Sequence, residues 1–320
     1  MIKRYLSLII LCFNFCFLFA VSNNTINRYF FVSIYGFPPI LSADIKNNLS
    51  VYSSVSNIAT YEYENIYETS NNIYIDGETH NYGFLIEKLL CKNFSLGGKI
   101  EIVSHKKGNM DYLIQNFHKI INLNSAIRKS LKRGILDYRI KVNSNNYKVD
   151  KDKSGLSDLM IFVKHQILKD SLKNYSILYS LKLPTGDYKY FFGSGYTDFG
   201  LSFIGSKKNN NLTLDFLSGG LYIPKSKILP NNINHLIFFG NASLSYRLKR
   251  WFEPKLALYS NTPVYENTGL KILDGWPLQG SFGFSFYIFK TTQIDFALAE
   301  DLFVNSSPDI TFFLSINKEF

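Results

Sequence analysis

The chain has 320 residues, 46% of them apolar and 16% aromatic, with 22 Tyr, 28 Phe and a formal net charge of +10. Two of its three cysteines, Cys12 and Cys16, fall in an N-terminal apolar run, so Cys91 alone cannot form an intrachain disulfide and the fold must hold without one. The aromatic load exceeds the needs of a soluble domain and suits the interfacial girdles of a membrane barrel.

Lys3 and Arg4 precede an apolar stretch from Leu6 to Phe19, and the small residues Ala20 and Ser22 follow. This pattern predicts a cleaved secretory signal over residues 1–22, because the stretch is short for a span of about 20 apolar residues. Cleavage removes two of 35 basic residues and none of the 25 acids, so the basic excess falls from ten to eight. For an exported basic chain, phosphorylated lipid headgroups or anionic solutes are better partners than nucleic acid.

Arg28 to Ile34 and Leu49 to Ile58 look extended. Tyr82-Phe84-Ile86 and Phe94-Leu96-Ile100-Ile102 give two strands joined at Lys92-Asn93. In the insertion 105–134, Asn109 can cap an amphipathic helix with Leu113, Ile114, Phe117, Ile120 and Ile121 on one face. The basic run Arg128, Lys129, Lys132 and Arg133 then reads as a solvated face. Ten further strands are expected near 135–143, 156–168, 175–184, 197–206, 212–222, 236–248, 252–263, 276–289, 292–301 and 308–319. At 46% apolar content about two eight-residue windows of strict alternation arise by chance. Two occur, Leu136 to Asn143 and Asn241 to Lys249, so the weight rests on looser alternation recurring along the chain.

The last strand carries Ile310, Phe312, Leu314, Ile316 and Phe320 on one parity and Thr311, Ser315, Asn317 and Glu319 on the other, as outer-membrane barrels end. Leu244, Tyr246 and Leu248, like Phe282, Phe284, Phe286 and Ile288, are expected to face lipid. Asp137, Arg139, Lys141, Asp215, Arg247 and Asp295 are then expected to line the lumen. Short connections near 169–174, 207–211, 249–251 and 290–291 alternate with longer ones at 144–155, 185–196, 223–235 and 264–275, which predicts periplasmic turns and external loops. The expectation is an all-β, antiparallel transmembrane β-barrel of about 12 strands, 14 if the two N-terminal segments join. Counting strands by parity puts the 105–134 insertion on the periplasmic side.

Several strings, Phe37-Pro38-Pro39, Asp76-Gly77-Glu78-Thr79, Gly108 with Asp111 and Phe117-His118, Pro184-Thr185-Gly186-Asp187, Gly193-Ser194-Gly195 with Asp198, and Glu300-Asp301-Leu302 with Pro308-Asp309, span nearly all of residues 23–320. In order and spacing the chain resembles the Gram-negative outer-membrane family called domain-of-unknown-function 3187, itself similar to barrels of the phenol-degradation meta-pathway. The resemblance implies a single outer-membrane barrel and transfers no catalytic residue. Lys318 departs from the apolar residue usual near such C-termini.

The Pro184 to Asp187 and Gly193 to Gly195 strings are turn formers, and no helix follows the latter to complete a phosphate cradle. His80, His105, His118, His165 and His235 show no nucleophile signature beside them. His80, after Asp76 and Glu78, is the best enzymatic candidate, and a polar loop or lumen histidine is the plainer reading. Calcium at Asp76, Glu78, Glu300, Asp301 and Asp309 would need six to eight oxygens converging. No cofactor or metal is expected, nor an enzyme. The function expected is a pore or facilitated-diffusion channel for a small solute. The alternatives are a structural or surface-interaction barrel and a lipid-acting enzyme. The expected partners are outer-membrane lipid and lipopolysaccharide, and the assembly machinery through the strand ending in Phe320.

Overall fold

Alternating apolar and polar side chains leave these segments one greasy and one polar face, and strands pairing in sequence bury the backbone polar groups. The computed structural model describes residues 26–66, 69–108, 134–289, 291–303 and 306–320. It contains β1 (Asn48–Ile66), β2 (Thr69–Cys91), β3 (Phe94–Lys106), β4 (Asp137–Val142), β5 (Asn145–Val149), β6 (Lys153–Leu156), β7 (Leu159–Lys169) and β8 (Lys173–Leu183). There follow β9 (Asp198–Asn209), β10 (Leu212–Tyr222), β11 (Leu236–Tyr246), β12 (Phe252–Asn261), β13 (Leu278–Phe289), β14 (Thr292–Asp301) and β15 (Ile310–Glu319). No helix among the described residues is long and apolar enough to cross a membrane.

Twelve strands, β1 to β3 and β7 to β15, form a closed antiparallel barrel in which β15 pairs back onto β1, from Asn48 opposite Glu319 to Asn57 opposite Ile310. The strand number is as expected, yet the set differs. Residues 49–58 lie in a wall strand, whereas the expected strand 135–143 is β4, which pairs with the protruding part of β2 (Asn72 to Asp76) and lies outside the ring. Its apolar parity, Tyr138, Ile140 and Val142, is fully buried against the barrel's contents and does not face outward. Arg28 to Ile34 is not a strand: it holds the one-turn helix α1 (Phe30–Ser33) inside the barrel.

Short turns at 92–93, 170–172, 210–211 and 247–251 share one end with the start of β1 and the end of β15. The longer connections share the other. β3 ends at Lys106, opposite Glu78 of β2, at this long-loop end, which corrects the placement of the 105–134 insertion on the turn side. The miscount came from starting the ring at β2 and treating β4 as a wall strand. The expected helix in that insertion and the signal segment 1–22 lie outside the described residues.

Outward positions are apolar as expected: Tyr82, Phe84 and Ile86 on β2, Leu236 and Phe238 on β11, Phe282, Phe286 and Ile288 on β13, and Leu314 and Ile316 on β15 are all exposed. Ser281, Gly283 and Ser285 point inward. Lys318 stays outside with its ammonium 5.6 Å from the Phe320 ring centre, at the turn end where a lysine can reach water.

Candidate functional site: a plugged lumen

The lumen is occupied by the chain's own residues 26–47. Its apolar run, Tyr29-Phe-Phe-Val32, lacks strand alternation and is buried on all sides. Phe30 stacks on Tyr138 at 4.4 Å and 11°, and Phe31 lies 4.8 Å from Phe191. With Tyr265, Ile228, Leu229 and Leu273 from the loops they form one core that closes the long-loop end. The segment then descends along the wall to the turn end, where Asn47 accepts from the Phe320 amide.

Three sets of buried wall charges grip this plug. Near its start Arg28 reaches Glu101 on β3 at 2.5 Å; Glu101 also accepts from the Tyr52 hydroxyl at 2.6 Å and lies 3.4 Å from Lys99. In the middle the Gly36 amide donates to Asp198 at 2.9 Å. Asp198 shares Lys182 (3.1 Å) with Asp158 (2.6 Å), and Lys182 also donates to the Ser194 hydroxyl and to Ile34 O. Lower down, Lys164 donates to the carbonyls of Ser42 and Asp44 at 2.9 and 2.8 Å while paired with Glu87 at 2.8 Å. A charge in the barrel interior is tolerable only when paired and hydrogen-bonded, and here the plug backbone supplies several of the missing partners.

The two turn-forming strings acquire a further purpose here. Asp158 accepts from the amides of Gly186 and Ser194, so Pro184 to Asp187 and Gly193 to Gly195 fold onto the carboxylate that holds Lys182. A Cβ at Gly193 would overlap that carboxylate.

Of the expected lumen residues, Asp295 is buried inside, bound by Gln293 and Asn317 at 2.6 Å, by Ser285 and Ser315, and by Lys255 at 3.3 Å. Asp215 and Arg247 line an interior cavity of about 330 Å³ at the turn end, with Asp44, Lys46, Glu253 and Lys255. Arg247 pairs with Glu253 at 2.5 Å and lies 3.9 Å over the Tyr287 ring. Asp137, Arg139 and Lys141 do not line the lumen. They sit on the outward parity of β4, where Arg139 and Asp137 pair at 2.8 Å in solvent, because the apolar side of β4 faces the plug.

Sequence reasoning missed Arg28, Glu87, Glu101, Asp158, Lys164, Lys182 and Asp198. The signal was present: Lys164 follows Met160 and Phe162, and Lys182 follows Ser176, Leu178 and Ser180, on the inward parity of their strands, where a lone cation demands a buried counter-charge. His80 lies 3.2 Å from Glu78, His235 Nδ1 is 2.8 Å from Ile223 O, and His165 stacks on Phe94. His105 sits between Thr79 and Tyr190 O, both at 2.9 Å. His118 is outside the described residues. Among the described residues no three His, Cys, Asp or Glu side chains gather as a metal site. Burial pushes the phenols of Tyr29, Tyr35, Tyr138 and Tyr265 above their ordinary pKa.

In fold the chain is similar to the COG4313 outer membrane channel from Pseudomonas putida F1, at 12% identity and a TM-score of 0.56, covering 89% of this chain and 98% of that one. It is also similar to the NanC porin, at 8% identity and a TM-score of 0.48, covering 85% and 100%. The KdgM porin in complex with disordered oligogalacturonate follows at 7% and 0.43, covering 85% and 99%. No curated protein matches the sequence. The model of the family described as "Protein of unknown function (DUF3187)" matches residues 23–320, and the chain belongs to that family.

Proposed function

We propose that this protein is an outer-membrane channel for a small polar solute, exported by a cleaved signal over residues 1–22 and held shut by residues 26–47. The observation that carries the reading is the contrast between the two surfaces of one closed wall. Outside, exposed apolar side chains run along the wall, whose strands β7 to β15 are each ten to twelve residues long. At the usual tilt and rise this makes a belt of about 25 Å, the height of a bilayer's hydrocarbon layer. Inside, the turn-end cavity carries both signs of charge on Asp44, Lys46, Asp215, Arg247, Glu253 and Lys255, which suits a hydrated polar or zwitterionic solute.

The plug contributes no strand to the ring, so displacing it leaves the wall's ladder hydrogen bonds intact. By the usual orientation the cavity opens toward the periplasm and the sealed core faces outside. The strand ending in Phe320, which closes the ring, is the segment offered to the assembly machinery. No enzymatic role is proposed. The test is single-channel recording of the refolded full-length protein in planar bilayers. A mostly closed protein that opens in brief steps, and opens longer when the plug's wall contacts are weakened, is expected. Absence of ion flux both in the native chain and in plug-weakened variants would favour the second reading, a structural barrel, which the sealed loop end also suits.

A further inference from the structure

Four lysines gather around one exposed turn at the long-loop end. The 3₁₀ turn Tyr188–Tyr190 presents Lys189 to solvent, and the Lys227 ammonium sits 4.5 Å from the centre of the Tyr188 ring. Lys153 sits 4.6 Å over Tyr190. Lys227 is held there by its own backbone, its amide donating to Ser194 O and its carbonyl accepting from the Tyr147 hydroxyl, and Lys225 is exposed two residues before it. None of these four ammoniums is in an ion pair among the described residues; Asp187, the acid on the turn, accepts from the Lys189 amide. Asp152 adjoins Lys153 in sequence, and Asp150 is taken by Lys148.

Clustering cations without counter-charge costs mutual repulsion, and resting them on aromatic faces fixes them in place without neutralising them. Directly below, on the outward parity of β8 to β10, are the exposed Tyr179, Phe199, Leu201 and Tyr222, with Tyr222 opposite Phe199 in register. The patch is therefore amphipathic in a fixed order, apolar wall beneath and cations above, and it stands where the bilayer's outer interface would lie.

We propose that this face binds the phosphorylated headgroup of an acylated outer-leaflet lipid, with phosphate on Lys153, Lys189, Lys225 and Lys227 and acyl chain against Phe199, Leu201 and Tyr222. A free anion would use only the upper half of this surface. The inference rests on the membrane placement proposed above and not on transport.

The experiment is native mass spectrometry of the refolded full-length protein titrated with bisphosphorylated lipid A, with phosphatidylcholine and inorganic phosphate as separate arms. Retention of lipid A well above phosphatidylcholine is expected. Lys189→Ala/Lys225→Ala/Lys227→Ala should weaken it about a hundredfold, and the matching triple arginine variant should retain it. Phe199→Ser should weaken lipid A and leave phosphate unaffected. Equal retention of lipid A by the native and triple-alanine proteins, or of phosphatidylcholine and lipid A, would overturn the proposal. So would inorganic phosphate binding as tightly as the lipid. A protein that inserts into bilayers and passes ions yet fails these arms refutes this inference alone.

Discussion

The guanidinium of Arg28 in the plug and the carboxylate of Glu101 in the wall meet at 2.5 Å with both side chains almost fully buried. Lys99 is buried beside them and shares the same carboxylate. The two halves of the pair are therefore unequal. Glu101→Gln strands two cations, whereas Arg28→Met leaves Glu101 with Lys99 and the Tyr52 hydroxyl. Breaking a buried pair from one side costs about 3–5 kcal/mol, more than a hundredfold in the docking equilibrium. Glu101→Gln should lengthen channel openings strongly and Arg28→Met less; equal effects, or none, would show that this pair does not hold the plug.

The middle grip should behave with the same asymmetry. Lys182→Met leaves the buried carboxylates of Asp158 and Asp198 facing each other without a cation, while Asp198→Asn keeps the Lys182–Asp158 pair and loses mainly the charge opposite Gly36. A cysteine placed at Ser33, in a Cys91→Ser background, reports plug release through its rate of maleimide labelling. The Lys182→Met protein should label at least about tenfold faster than the native chain, and Asp198→Asn should fall between them.

Much of this architecture was legible in the sequence, and the failures share one cause. Period-two alternation identifies strands wherever one side meets a greasy phase, and it does not say whether that phase is lipid or a packed interior. Phe282 to Ile288 and Tyr138 to Val142 carry the same pattern; the first faces outward and the second closes over Phe30. So alternation alone points Asp137, Arg139 and Lys141 into the lumen, whereas they lie on the outward parity of β4. The plug was unreadable as such because Tyr29 to Val32 is apolar in every direction, which extended and buried segments share. Asp215, Arg247 and Asp295, on true wall strands or their turns, fall inside because the parity argument applies to them directly.

Glycines on the inner wall seat aromatic rings from the neighbouring strand. Tyr52 lies across Gly83, its register partner, and Phe162 across Gly97, so that an added Cβ would overlap either ring. Gly98, one residue on and outward, would meet only Met160 O at an ordinary 3.4 Å. Gly97→Ala and Gly83→Ala should each lose about 1–3 kcal/mol in urea unfolding from bilayers, with Gly98→Ala near neutral. Gly83→Ala should also mimic Arg28→Met in channel recordings, since it pushes the Tyr52 hydroxyl off Glu101. Parity between Gly98→Ala and the other two would refute the seating argument.

The phenols buried in the plug and in the loop packed on it set an alkaline limit. Burial raises the pKa of Tyr29, Tyr35 and Tyr265 in the folded protein above the value of about 10 that they take when unfolded. A group raised on folding contributes stability that is intact below the unfolded pKa and is lost as pH climbs beyond it. Ionisation followed by tyrosinate absorbance should therefore be biphasic, with the lagging fraction appearing together with plug labelling at Ser33→Cys. Ionisation of all phenols in one step with the plug still protected would contradict the burial.

The two tryptophans, the only ones in the chain, test the membrane placement without disturbing it. Trp251 stands exposed in the turn before β12 and stacks on Phe286, while Trp276 stands exposed just before β13 at the long-loop end. They thus mark opposite rims of one wall. Indole prefers the bilayer interface, where its ring is apolar and its N–H stays wet. In Trp251→Phe and Trp276→Phe proteins refolded into bilayers, the remaining fluorophore should be quenched more by lipids brominated near the headgroup than by lipids brominated near the chain end. Chain-end quenching of Trp251 would shift the apolar belt by half the hydrocarbon layer and move the turn-end cavity into it, and chain-end quenching of Trp276 would shift the belt equally far the other way and leave the turn end of the wall in water. Lack of lipid quenching at both would leave the outward Phe and Leu side chains without a lipid phase, and the channel reading would fall with it.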